Sequence, residues 1–283
     1  VARQVFEAAD EALHFSLSSL CFEGPAEELK QTENTQPALV AVSVAALRVL
    51  SEQGIQADFV AGHSLGEYSA LVAAGSLTFA DALQLLRKRG RYMQEAVPEG
   101  KGAMAALLKL PDGKLEQILE EAAQGEVVTA ANLNSPDQIV IAGHVGAVER
   151  AVELAKAAGV KRAILLQVSA PFHCPLMKPA QERLRVDLDN TAFADLQTPL
   201  INNWQAQEIH SGQQAREGLF QQIPNPVRWT DSVRALTERG VTRCIELGAG
   251  TVLAGLCRQI DPTLRTASFG APTDGEKVKN VLA

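Results

Sequence analysis

Ser64 lies in Gly62-His63-Ser64-Leu65-Gly66, with a glycine two positions to either side. The apolar run DFVAG (58–62) leads into it, and the small apolar run YSALVAAG (68–75) follows. Gly-X-Ser-X-Gly between a strand and a helix is the pattern that holds a serine hydroxyl at the tip of a sharp turn. The glycines leave room for the turn and for close strand–helix packing. At the start of a helix the serine meets free backbone N–H groups and the positive end of the helix dipole, which favour a developing oxyanion. The N–H of Leu65, the next residue, is the natural donor. Nucleophilic acyl chemistry is therefore expected of Ser64, and an inert serine in a glycine-bounded turn is the alternative.

A serine nucleophile needs a base. Five histidines are available: His14, His63, His144, His173 and His210. His63 adjoins the serine, and neighbours in such a turn point apart. His14 lies in a polar helical stretch, and His144 and His210 lie beside Gly or Ser in expected surface turns. His173, in VSAPFHCPLM, follows a core strand and precedes a proline-initiated helix, which places it at a sheet edge within reach of Ser64. A hydrogen-bonded structural histidine is the alternative. Cys174 beside it reads as a buried thiol, since nothing nearby lowers its pKa.

A charge for the substrate is expected from the helical segment 78–97. At about 100° per residue, Phe79, Ala82, Leu83, Leu86, Gly90, Met93 and Val97 form one apolar arc. Arg89 falls within its edge, whereas Arg87, Lys88 and Arg91 fall outside it. An arginine on the buried side needs an anionic partner. That partner is either an internal carboxylate or a carboxylate carried by the substrate, which a guanidinium grips with two parallel hydrogen bonds.

These side chains must be positioned by a chain of 283 residues, 46% hydrophobic and 21% charged, long enough for one large core and a smaller one. Short β-branched runs alternate with helical patterns, which argues an α/β fold with a mainly parallel sheet. The middle differs: 102–110, 126–134, 137–143 and 162–169 read as strands, with helices at 112–124 and 145–159. That β-α-β-β-α-β order is ferredoxin-like and reads as an inserted subdomain. The net charge of −7 argues against a nucleic-acid partner. No apolar run approaches the roughly 20 residues that cross a bilayer, and the first thirteen residues are not expected to be a secretory leader. Four widely spaced cysteines without a CxxC pair suit a reduced, cytoplasmic chain. The histidines lack metal-ligand spacing, so no metal is expected. ELGAGTVLAGL (246–256) misplaces the third glycine of a dinucleotide loop.

GHSLGEYSALVAAG, RGRYMQEAVPEGKGAMAAL, ANLNSPDQIVIAG, VSAPFHCPLM and NPVRWTDSV occur in that order along nearly the whole chain. Together they resemble the malonyl-CoA:acyl-carrier-protein transacylase family of fatty-acid synthesis, related to the acyltransferase domains of polyketide synthases. The resemblance implies a hydrolase-like α/β core over 1–98 and 174–283 with the ferredoxin-like insert at 99–173. It implies Ser64 as nucleophile, His173 as base, Leu65 as oxyanion donor and Arg89 as the grip on the malonyl carboxylate. Gln222 matches the residue whose backbone carbonyl orients the histidine, standing where a triad aspartate stands. Phe172 resembles the malonyl-selecting position, and His63, Met93 and Asn132 join Arg89 in the substrate-binding set. Malonyl-CoA is the implied substrate, acyl carrier protein the partner, and no cofactor is implied.

The family pattern also opens with a strand and a Gly-Gln-Gly-type loop that gives a second oxyanion N–H. Residues 1–283 hold no such segment, and losing one donor costs about 2.7–4 kcal/mol in comparable sites. The segment is therefore expected either upstream of Val1 or dispensed with. Two rival readings stay open: an esterase or thioesterase, which expects Ser…Asp…His order and no buried Arg89, and a non-enzymatic homologue that only docks carrier protein. For an acidic carrier, Lys161-Arg162 and Arg183/Arg185 are candidate contacts.

Overall fold

In the computed structural model, which describes residues 1–283, strands and helices interleave along the whole chain. The strands are β1 (Val60–Ala61), β2 (Gly102–Leu108), β3 (Val128–Ser135), β4 (Gln138–His144), β5 (Arg162–Leu165), β6 (Leu200–Ile201), β7 (Glu208–Ile209), β8 (Arg243–Leu247) and β9 (Arg265–Phe269). They form three sheets, ordered β1-β6-β7, β3-β4-β2-β5 and β8-β9. β1 runs parallel to β6 and β8 parallel to β9, while β7 closes antiparallel on β6. The fold is mixed α/β. Parallel pairing, expected of one main sheet, is confined to the two short ladders β1–β6 and β8–β9, and DFVAG contributes only Val60 and Ala61 before the chain turns at Gly62.

The four-stranded sheet is antiparallel throughout. Its apolar strands divide by the period-2 alternation of side chains. Ala105, Leu107 and Ile141 pack with Ile118 and Ala122 of the helix Leu115–Ala123 and with Val148 and Val152 of the helix Val145–Ala157. Met104, Ala106, Val140 and Ala142 face the other way, onto Cys174 and the half-buried Phe172. The sheet thus holds the residues flanking His173. Residues 162–169 are shorter as a strand than expected: β5 ends at Leu165, Leu166 N–H still reaches Met104 O, and the chain then crosses to the larger core. A β-bulge at Ala131 lets β3 bridge the segment at Val227 through Leu133 N–H to Val227 O and Val227 N–H to Ala131 O, both 2.9 Å.

The larger core is mostly helical. Thr78 caps the helix Phe79–Glu95 by accepting from Asp81 N–H. Its buried face carries Ala82, Leu83, Leu85, Leu86, Arg89, Gly90 and Met93: Leu85 joins the expected arc, Phe79 is only half-buried, and Val97 is buried just beyond the helix end. Each fully buried leucine contributes roughly 1.5–3 kcal/mol. A Cβ at Gly90 would lie 2.6 Å from Glu33 Cα, so the glycine lets this helix press against the helix Thr32–Glu52. That contact sets Arg89 beside Gln36.

Candidate active site

The chain leaves β1 and reverses at Ser64, whose φ is 54°. This left-handed backbone is strained for a non-glycine residue, by about 1–3 kcal/mol. A Cβ at Gly62 would lie 2.0 Å from Gly66 O, so glycine is required there. Gly66 differs from expectation: a Cβ there meets nothing within 4 Å, and space does not demand the motif's second glycine. Asn203 braces the turn, its Oδ1 accepting from Ser64 N–H at 2.7 Å and its Nδ2 donating to Gly62 O at 2.6 Å. The β1–β6 register produces this, since Ala61 pairs with Ile201 and Asn203 follows two residues on.

Ser64 Oγ lies 2.7 Å from His173 Nε2, and His173 Nδ1 lies 2.9 Å from the backbone oxygen of Gln222. A carbonyl only accepts, so Nδ1 carries the proton and Nε2 is left to accept from the serine hydroxyl. His173 is 3% exposed. Burial, helped by the Arg89 charge, pushes its pKa down to about 3, so the ring is neutral and its free nitrogen is open to accept a hydrogen bond. No carboxylate touches the ring, which sets the site apart from the Ser-His-Asp arrangement.

Arg89 is 2% exposed. Nη1 donates to Gln36 Oε1 at 2.5 Å, and Nη2 donates to Gln222 Oε1 at 2.9 Å and to Ser64 Oγ at 3.0 Å. All three acceptors are neutral, and burial lowers the guanidinium pKa. Leu65 N–H, at the start of the helix Gly66–Ala73, has no acceptor within the protein and follows directly on Ser64.

Ser64, Arg89, His173 and Gln222 therefore converge. Gln222 does so twice, because its side chain also bonds Arg89 and donates to Ser64 O at 3.1 Å. Phe172 is half-buried beside His173 and packs on both cores. Met93, 1% exposed, lies one helical turn beyond Arg89 within the larger core. Asn132 is buried in β3 just after the bulge and makes no hydrogen bond to Ser64, Arg89 or His173. His63 points away from the serine, with Nε2 2.8 Å from Asn134 Oδ1 and its ring against Trp229. It ties the turn to β3 and makes no hydrogen bond to Arg89 or His173. His14 caps the first helix, His144 accepts from Val127 N–H and His210 faces Glu208. Cys174 is buried, donates to Pro171 O and is pushed up to about 11, a poor nucleophile. Arg183 is paired with Glu95 over the Tyr92 ring, and Arg185 lies over Phe220 near Glu217, so both carry partners already.

Three site residues escaped the sequence reading. Gln36 and Glu67 sit in helical stretches where a polar residue reads as solvent-facing, and Asn203 lies in INNW, which reads as a turn. The available signal was a polar side chain flanked by apolar residues: Gln36 in TQPALVAV and Asn203 after PLI. No group of three or more His, Cys, Asp or Glu side chains is placed to hold a metal ion.

Residues 1–268 match the family model described as an acyl transferase domain. The malonyl CoA-acyl carrier protein transacylase of Escherichia coli strain K12 is 48% identical over 274 residues, covering 96% of this chain and 89% of that protein. The protein of the same name from Bacillus subtilis strain 168 is 49% identical over 272 residues, covering 96% and 86%. The crystal structure of an acyl carrier protein S-malonyltransferase from Vibrio cholerae superposes with a TM-score of 0.95 at 45% identity, over 98% of this chain and 91% of that one. A malonyl-transacylase solved in complex with its type II polyketide acyl-carrier protein matches equally well, with a TM-score of 0.95 at 45% identity over 99% and 91%.

Proposed function

The chain belongs to the malonyl-CoA:acyl-carrier-protein transacylase family of acyl transferase domains, and from that premise we infer that it moves a malonyl group from malonyl-CoA to the phosphopantetheine thiol of acyl carrier protein. The observation that carries this reading is the meeting of Ser64 Oγ with His173 Nε2 at 2.7 Å and with Arg89 Nη2 at 3.0 Å. A nucleophile with its base and a buried guanidinium share one point, which suits an acyl group bearing its own carboxylate.

His173 Nε2 takes the Ser64 proton as Oγ attacks the thioester carbon. The oxyanion forms beside Leu65 N–H. The tetrahedral adduct then expels the coenzyme A thiolate, which takes the proton from His173. The carrier thiol gives its proton to His173, attacks the malonyl-serine ester and leaves as malonyl thioester, while Ser64 recovers the proton. Arg89 turns from its neutral acceptors to the malonyl carboxylate and fixes the acyl chain. Phe172 and Met93 wall the acyl pocket, with Asn132 and His63 further out. The Gln222 carbonyl holds the imidazole in the tautomer the reaction requires. No step calls for a metal or redox cofactor.

The same reading takes residues 99–173 as a ferredoxin-like insert in a hydrolase-like core spanning 1–98 and 174–283. The strand order β3-β4-β2-β5 with two helices on one face supports the insert. No helix is long and apolar enough to cross a membrane, and four free cysteines suit a reducing cytoplasm. The test is intact-mass analysis after exposure to malonyl-CoA, followed by addition of carrier protein. The expected result is a malonyl adduct that Ser64→Ala abolishes and that carrier protein removes as malonyl-carrier. Release of free malonate without transfer indicates a hydrolase, and an unmodified Ser64 at saturating substrate indicates a docking module.

A further inference from the structure

Glu67 is a buried carboxyl that the transfer chemistry leaves without a task. It lies three residues after Ser64 in the helix Gly66–Ala73, and none of its surface is exposed. Oε2 accepts from Asn203 N–H at 3.0 Å and from Gln222 Nε2 at 2.8 Å, while Oε1 has no hydrogen-bond partner. The Gln222 amide spans the gap to Arg89, its NH2 end on the Glu67 carboxylate and its oxygen accepting from Arg89 Nη2. The amide dipole is therefore aligned between a buried anion and a buried cation. Arg89 has no carboxylate in direct contact, and an uncompensated buried charge is strongly unfavourable. Glu67, through one amide, is its counter-charge.

We propose that Glu67 and the acyl carboxylate share the single positive charge of Arg89, so that binding a carboxylated acyl group drives a proton onto Glu67. This rests on the reading of Arg89 as the carboxylate grip. The proton comes from solvent, and Oε1, which no donor occupies, is the oxygen free to take it. Four titratable groups face this cluster. Arg89 comes from the helix Phe79–Glu95, His63 and Tyr68 from the segment around the nucleophile, and His173 from the loop after β5. Burial holds His173 down to about 3 and His63 below its ordinary value, lowers Arg89, and raises Tyr68. Burial raises Glu67 to about 7, against the Asn203 N–H, the Gln222 amide and, after them, the pull of the Arg89 charge. A second anion on Arg89 weakens that pull and raises Glu67 further. Acyl affinity must then fall as pH rises through and above 7, because the bound state holds more protons than the free one.

The experiment measures binding of two non-cleavable coenzyme A analogues, malonyl and acetyl, each with a methylene group replacing the thioester sulfur, by calorimetry from pH 6.5 to 8.5. Both carry the same phosphates, so the malonyl/acetyl affinity ratio isolates the carboxylate. In the wild type that ratio is expected to fall about 3–10-fold across the range. Runs in two buffers of different ionisation enthalpy at pH 7.5 are expected to show proton uptake with the malonyl analogue alone. Glu67→Gln keeps an acceptor for Asn203 and Gln222 while deleting the charge, and should flatten the ratio and abolish the uptake. Wild-type binding without malonyl-specific uptake overturns the proposal, as does a Glu67→Gln protein that retains it. The wild-type proton count decides the matter even if the variant fails to fold. Arg89→Ala separates the two layers: an unchanged malonyl preference removes the carboxylate grip itself, whereas a lost preference alongside a wild type without uptake removes only the coupling.

Discussion

Asn203→Ala tests whether the Ser64 turn is held by its brace. The substitution removes the acceptor of Ser64 N–H and the donor to Gly62 O. Two hydrogen bonds of about 0.5–1.5 kcal/mol net are lost, and a buried carbonyl left unsatisfied adds about 1–3 kcal/mol. The expected destabilisation is therefore about 2–6 kcal/mol, read as a fall in urea midpoint at unchanged m-value. The larger effect falls on chemistry. Ser64 sits at φ 54°, a strained conformation worth about 1–3 kcal/mol that persists only while its surroundings enforce it. Released, the turn relaxes and Oγ moves away from His173 Nε2, and a displacement of about 1 Å can cost 10²-fold in rate. Acylation by malonyl-CoA, followed by rapid quench and intact mass, should slow by about that factor while the Glu67 contact to the residue-203 backbone N–H persists. A variant within 1 kcal/mol of wild-type stability that also acylates within about threefold of the wild-type rate would refute the brace.

Arg89→Ala should reverse acyl preference: two hydrogen bonds to a charged group are worth about 1.5–3 kcal/mol each, so the malonyl/acetyl ratio of kcat/KM should drop by roughly 10² or more. Steady-state transfer with both thioesters checks this, and a constant ratio counts against the carboxylate grip. Gly62→Ala should fail to give a native thermal transition, because its Cβ collides with Gly66 O, whereas Gly66→Ala should melt at or above the wild-type temperature, having space and a gain in helix propensity of up to about 1 kcal/mol. The His173 pKa is depressed from 6.5 to about 3 on folding. The unfolded chain therefore binds a proton first, and the stability attached to the neutral ring is present above about 6.5 and drains away as pH falls toward 3. Urea midpoints from pH 7 to 4 should show this slope in wild type and a shallower one in His173→Gln.

The serine turn was legible because local chemistry writes it into adjacent letters. A strand, a reversal and a helix start must be contiguous, and Gly62 is required within the same five residues. Arg89 was legible because helical periodicity placed a cation on an apolar arc, and His173 because it follows a strand. The extents of β1 and β5 were not legible. A ladder ends where its partner ends, and Ile201 and Met104 lie far along the chain from the strands they limit. Gly66 shows the converse: the motif contains it, but the surrounding space does not require it.

From the order of its apolar and polar residues alone, this chain determined its α/β class, the strands of the four-stranded sheet, the elbow serine and a buried arginine in search of an anion. Those features depend on neighbours within a turn or a strand. What the tertiary structure alone decided is the polar web beneath them: Asn203 bracing the turn, Gln36 receiving Arg89, His63 turned toward Asn134, and Gln222 standing between Glu67 and Arg89. A buried polar group must find its partner, but that partner lies wherever packing brings it, here 53, 71, 133, 139 and 155 residues away. Spacing in the sequence carries no record of such distances, because they are set when helices and sheets dock and water is excluded from between them.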